Sequence, residues 1–185
     1  MEPLAHTLTG ACLAESGLKR ITPLGTATLI VAAVLPDIDG ACYLSSPDAA
    51  FGFRRGWTHG ILAWFVLPLV VTGAMLAFDR FVRRRRRPDL APVQSGPVLL
   101  LAVLGVLTHP ALDWVNNYGI RLWMPISDRW FYGDALFIVD PWLWLMLGSA
   151  VALAWTRTRT GSILVGLASV AMTALLWSTP MVPVE

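Results

Sequence analysis

The 185-residue chain is 56% hydrophobic and 14% charged, with a formal net charge of +2, where an average soluble domain carries about 25% charged residues. So little polar surface excludes a water-soluble domain, and the length suits one integral membrane unit over residues 1–185. Cys12 and Cys42 are too few and too scattered for a disulfide framework or a zinc knuckle, and read as small buried thiols.

A spanning helix needs about 20 mostly apolar residues. The first candidate, residues 4–18, is interrupted by His6, Glu15 and several small residues. Glu2 and Pro3 stand where a cleavable signal peptide has a basic region, so this helix is expected to be retained. The second, residues 24–35, ends at Pro36, and the third, residues 60–78, carries no charge. The fourth, residues 98–107, is short but can continue through His109 toward Trp114. Residues 142–155 are dense in Trp and Leu, and residues 163–177 form an apolar segment stopped by Pro180. The fold class expected is therefore all-α, a polytopic transmembrane bundle of about six helices.

Basic residues orient that bundle. Lys19 and Arg20 fall between the first and second candidates, Arg80 and the run 83–87 between the third and fourth, and Arg157 with Arg159 between the fifth and sixth. If each helix crosses once, all three clusters share one side, which the positive-inside rule makes cytoplasmic. Residues 79–97 are then a basic cytoplasmic loop, and the loop 116–140 is extracytoplasmic. An arginine run can also be a nucleic-acid patch. Between two apolar segments it reads as a membrane anchor, and no nucleic-acid partner is expected. The Trp residues read as an interfacial belt.

The opposite side gathers the remaining polar residues: His6, then Asp37 and Asp39, then Arg54, Arg55 and His59, then His109 and Asp113. A single histidine beside an apolar helix is ordinarily structural. Three on one face, each near a carboxylate, point to a metal, because ionisable groups near hydrocarbon are paired or functional. His109 precedes Asp113 by four residues, one turn of helix. Pro110 lies between them, so either a new helix starts there or the helix kinks. Asp37 and Asp39 follow Pro36 and precede Gly40, which predicts a turn at a helix end. Two such carboxylates either share a cation or are solvated turn residues, one of them capping the next segment. Arg54 and Arg55 lie where the positive-inside rule expects least charge. Phosphate recognition, pairing with an aspartate of the cluster, and snorkelling at the interface each account for them. Asn116, three residues past Asp113, can share its face, and the loop carrying Asp128, Tyr132 and Asp134 reads as a lid or as a connector.

Together His6-Thr7, Leu35-Pro36-Asp37-Ile38-Asp39, Arg55-Gly56-Trp57-Thr58-His59 and the stretch from Thr108 to Gly119 resemble the YdjM-like membrane-bound metal-dependent hydrolases. Gly40 departs from the pattern, since many relatives carry a histidine or another polar residue after the second aspartate. The family in turn looks similar to zinc-dependent phospholipases C and single-strand-specific zinc nucleases. The resemblance implies a divalent metal, zinc first, and action on a phosphoester.

The ligand set expected is His6, Asp37, Asp39, His59, His109 and Asp113. Asp39 and Asp113 double as catalytic carboxylates, Arg54 and Arg55 hold an anionic group, and Asn116 orients it. A site at the lipid–water boundary makes membrane lipid the partner and a lipid phosphate the substrate class. Two other classes compete: a metal or proton transporter, disfavoured because 60–78 and 163–177 offer no polar through-path, and a non-catalytic protein with a structural metal.

Overall fold

The computed structural model describes residues 1–44 and 52–156. The sixth expected helix, at 163–177, and Arg157 and Arg159 lie outside those residues. Within them the chain is helical, with no strand beyond two isolated bridges, Asn116 with Leu136 and Ile120 with Phe131. Five α-helices of ten residues or more build it: α1 (Pro3–Glu15), α2 (Gly25–Val34), α3 (Ile61–Phe78), α4 (Ser95–Val115) and α5 (Pro141–Trp155).

Three segments are long and apolar enough to cross a membrane: Gly25–Leu44, Ile61–Arg86 and Ser95–Val115. At 13 residues α1 rises only about 20 Å, short of a hydrocarbon core about 30 Å thick. Several boundaries differ from the sequence reading, each for a physical reason. Past Val34, α2 tightens into a 3-10 helix, Leu35–Leu44, so Asp37 and Asp39 lie on a helical extension rather than in a turn. Helix α4 begins at Ser95 and runs unbroken through Pro110. The proline costs one backbone donor there and does not end the helix, as neighbouring helices in a membrane bundle often permit. The basic segment 79–97 is helical as far as Arg86, which leaves a short connection.

Helix α2 is the centre of the packing. Ala32 meets Val98, Ala102 and Val106 of α4 and Val71 and Met75 of α3 in the largest apolar cluster. Leu29 joins Ala14 of α1 to Leu101 of α4 in another. Two glycines permit these approaches. A Cβ on Gly10 would stand 2.8 Å from the Ile30 Cα, and one on Gly105 would stand 2.6 Å from the Ala32 Cβ. Close backbone approach through small residues is the usual device where lipid supplies no hydrophobic drive between helices. Away from these contacts α3 presents Leu62, Phe65, Leu69 and Val70 outward, an exposed apolar face suited to lipid.

Helices α1 and α5 carry carboxylate caps. Glu2 accepts from the Leu4 and Ala5 amides, and Asp140 from those of Trp142 and Leu143, each ahead of a proline in the first turn. Glu2 also accepts from the Trp144 indole, which ties α1 to α5 where Met1 and Ala5 pack on Leu143 and Leu147.

A candidate metal centre

The glycine contacts on α2 set the register of two histidines. His6 lies one turn before Gly10, and His109 one turn after Gly105. Both rings therefore arrive at the same end of α2, stacked with centroids 3.6 Å apart and planes 14° apart. The loop before α3 brings His59 edge-on to His109, centroids 4.7 Å apart. All three are fully buried.

Hydrogen bonds fix which nitrogen of two of these rings faces inward. His109 Nδ1 lies 2.6 Å from the Ala33 carbonyl, which only accepts, so Nδ1 carries the proton. His59 Nδ1 lies 2.8 Å from the Thr58 hydroxyl and 3.3 Å from Asp39 Oδ2, and the Thr58 hydroxyl donates onward to the same carboxylate oxygen. Nδ1 of His59 is therefore a donor as well. The two Nε2 atoms are left as lone pairs, and they face each other at 3.0 Å. Two acceptors do not approach so closely without a cation or a proton between them. Two nitrogens on one tetrahedral zinc, each about 2.0–2.1 Å away, would be separated by roughly 3.3 Å. Burial also holds His59 below its ordinary imidazole value, against the pull of Asp39, which keeps it neutral as a ligand must be.

Carboxylates close the site. Asp113 Oδ2 lies 3.1 Å from His59 Nε2 and 3.5 Å from His109 Nε2, and its Oδ1 lies 3.4 Å from His6 Nε2. Asp37 stands 3.8 Å from His109 Nε2 and 4.0 Å from His6 Nε2. Both nitrogens of His6, both oxygens of Asp37, Oδ1 of Asp39 and Oδ2 of Asp113 are buried without a hydrogen-bond partner. A buried unsatisfied polar group costs about 1–3 kcal/mol, so such a concentration is unfavourable for the metal-free protein. A cation answers it. Three overlapping sets, His6–Asp37–His109, His59–His109–Asp113 and Asp37–Asp39–His59, each offer ligand atoms within 4.8 Å of one another. The nitrogen and carboxylate donors fit a divalent ion, zinc among them.

The remaining expected site residues divide by environment. Arg55 is interior, 1% exposed, where the sequence reading had it meeting substrate. Its amide donates to Asp39 Oδ2, its guanidinium to Asn116 Oδ1 and the Gly119 and Met1 carbonyls, and it pairs with Asp113 Oδ1 at 3.3 Å. Burial draws it down to about 10, still cationic at neutral pH. Its backbone is left-handed, φ 53°, a conformation that costs an L-residue about 1–2 kcal/mol. Asn116 is equally committed. It donates to Asp113 Oδ1 and accepts from the Tyr118 and Gly119 amides, tying the end of α4 to the loop. The Met1 amino group also meets Asp113.

Arg54 alone of the three is partly exposed, its guanidinium over the Tyr43 ring and 4.0 Å from Asp37. A Cβ on Gly40 would stand 3.5 Å from an Arg54 nitrogen, an ordinary van der Waals contact. Asp39 faces Arg55, Thr58 and His59 Nδ1, as a support for the His59 ring with one oxygen spare.

The sequence reading missed four participants. Thr58 links His59 to Asp39, whereas among the described residues Thr7 and Thr108 bond only to their own helices. Trp64, read as belt, donates its indole N–H to the His59 carbonyl. Tyr118 stacks beneath the Arg55 guanidinium. Arg121 donates to the Gly52 and Arg54 carbonyls and holds the loop that carries Arg54 and Arg55. Two of them had a signal in the sequence, Thr58 by its place beside His59 and Tyr118 by its place in the motif from Thr108 to Gly119.

The family model described as YdjM inner membrane protein matches residues 1–182, and the chain belongs to that family. No curated protein and no solved structure gives a significant match.

Proposed function

We propose, from membership of that inner membrane family and from the site, that the protein is a metal-dependent hydrolase cleaving a phosphoester of a membrane lipid. The observation that supports this best is the pair of Nε2 lone pairs at 3.0 Å, ringed by unsatisfied carboxylate oxygens. His6, His59, His109, Asp37 and Asp113 would hold one or more divalent ions, zinc first by donor type. When bound, such an ion supplies a water-derived nucleophile at neutral pH and Lewis-acid stabilisation of a phosphoryl group.

The chain's own residues do the rest. Asp39 and the Ala33 carbonyl fix the tautomers of His59 and His109, as outer partners of metal-bound histidines do. Arg55 and Asn116 hold Asp113 in place, and Asp113 and the spare oxygen of Asp39 are the carboxylates available to take up a proton. Arg54, partly open to solvent beside Asp37, is the group suited to an anionic phosphate. The arginine-rich end of the segment Ile61–Arg86 lies away from this site, and by the positive-inside rule we read that end as cytoplasmic and the site as outside. The further likeness to zinc phospholipases C and nucleases rests on the motifs alone.

The full burial of the three histidines favours one rival, a closed site with a structural metal. Metal content and hydrolysis of a panel of phospholipids, measured on the detergent-purified full chain, separate the readings. Near-stoichiometric metal with phosphoester cleavage that disappears in His59→Ala supports the hydrolase. Near-stoichiometric metal without cleavage of any lipid supports the structural site. A metal-free protein purified without chelator would sink both.

A further inference from the structure

At its far end from the histidines, α3 does not stop at Phe78. It widens into a π-helical stretch, Asp79–Arg83, and closes with Arg84–Arg86. Asp79 is 2% exposed and accepts from the Val93 amide, while Arg83 and Arg84 pair with its two oxygens. Arg87 pairs with Asp89. Arg80, Arg85 and Arg86 have no acidic partner among the described residues. The wider turn puts Arg80, Arg84 and Arg85 around one shallow pocket of about 630 Å³, with Phe81 as its apolar wall. Single π turns inside α-helices often mark functional positions.

Like charges one turn apart repel, and the single buried carboxylate is already shared by Arg83 and Arg84. The pocket therefore asks for an external anion. Its location says which kind. It sits at the end of the apolar span Ile61–Arg86, with Phe78 and Phe81 exposed beside it. An anion bound there has apolar side chains on its membrane side.

We infer that the pocket formed by Arg80, Phe81, Arg84 and Arg85 binds the headgroup phosphate of an anionic phospholipid, a site separate from the metal centre. Guanidinium groups hold the phosphate oxygens, and Phe81 packs against the glycerol and the first acyl carbons.

The test uses the full chain in detergent and titrates a fluorescent phosphatidylglycerol. Arg80→Gln with Arg85→Gln is compared with Arg86→Gln with Arg87→Gln, which removes the same charge outside the pocket. Each arginine near an anionic lipid is worth about fivefold in affinity, so the pocket pair should weaken binding by about 25-fold, while the control pair, outside the pocket and with Arg87 held by Asp89, should lose clearly less. Arg85→Gln alone, on an exposed side chain, should lose about fivefold and guards against misfolding of the double variant. Inorganic phosphate should not displace the lipid. Equal losses in the two pairs would reduce the site to diffuse surface charge and overturn the proposal, as would displacement by inorganic phosphate, which would mark a free-anion site. Metal content read on the same samples should not change, so the outcome is independent of the hydrolase reading.

Discussion

Two buried aspartates, Asp79 and Asp113, stand toward opposite ends of the bundle and are nearly equal in exposure, 2% and 0%. Their surroundings differ in kind. Both oxygens of Asp79 are answered, by the Val93 amide, Arg83 and Arg84. Asp113 has Oδ1 crowded by Arg55, Asn116 and the Met1 amine, while Oδ2 faces two imidazole nitrogens that carry no proton to give it. Burial alone therefore does not identify a functional carboxylate. What sets Asp113 apart is an oxygen that the fold leaves unanswered.

The widest separation between the two is expected in metal content. Asp113→Asn should bring bound metal to background, while Asp79→Asn should leave it unchanged; comparable losses in both, by elemental analysis at equal yield, would erase the distinction. A smaller loss is expected for Asp39→Asn, since outer partners of metal-bound histidines are worth roughly 10–100-fold in metal affinity. A competitive chelator titration measures it, and an unchanged affinity would remove Asp39 from the site.

The next contrast is in stability. Asp79→Asn should lower the unfolding free energy by about 1–2 kcal/mol through its lost ionic hydrogen bonds. Gly105→Val should cost about 1–3 kcal/mol by overpacking against Ala32 and should weaken metal binding as well, because it displaces His109. Thermal unfolding with and without chelator reads both. Only the Gly105 variant should lose part of the stabilisation that metal gives.

The smallest effect is in pH. His59 is held below its ordinary value by burial, so the unfolded chain takes up a proton near pH 6.5 while the folded metal-free protein does not. Its contribution to stability is complete above about pH 6.5 and is lost as the pH falls through the folded value. Reversing His59→Gln should flatten that part of the stability–pH curve of the metal-free protein, and an unchanged slope would assign the pH dependence elsewhere.

The composition of the site was legible because its residues stand at helix ends in short motifs. His6, Asp37, Asp39, His59, His109 and Asp113 do converge at one end of the bundle. Their division of labour was not legible. Whether Arg55 meets a substrate or braces Asp113 depends on the Gly119 carbonyl and Asn116, more than sixty residues away in sequence. Which nitrogen of His109 faces inward depends on the Ala33 carbonyl, and no side-chain pattern announces a backbone acceptor. The helix through Pro110 was open for a similar reason: local propensity argues for a break, and packing on α2 overrides it.

The two glycines packed against α2 carry a consequence for biogenesis. His6 emerges from the ribosome more than one hundred residues before Asp113. Between them α1, α2 and α4 must come together before the imidazoles share a place, and the close approaches at Gly10 and Gly105 belong to that register. On the proposed metal reading, capture of an ion is therefore closed to a half-assembled chain and opens once three separate helices have found one register.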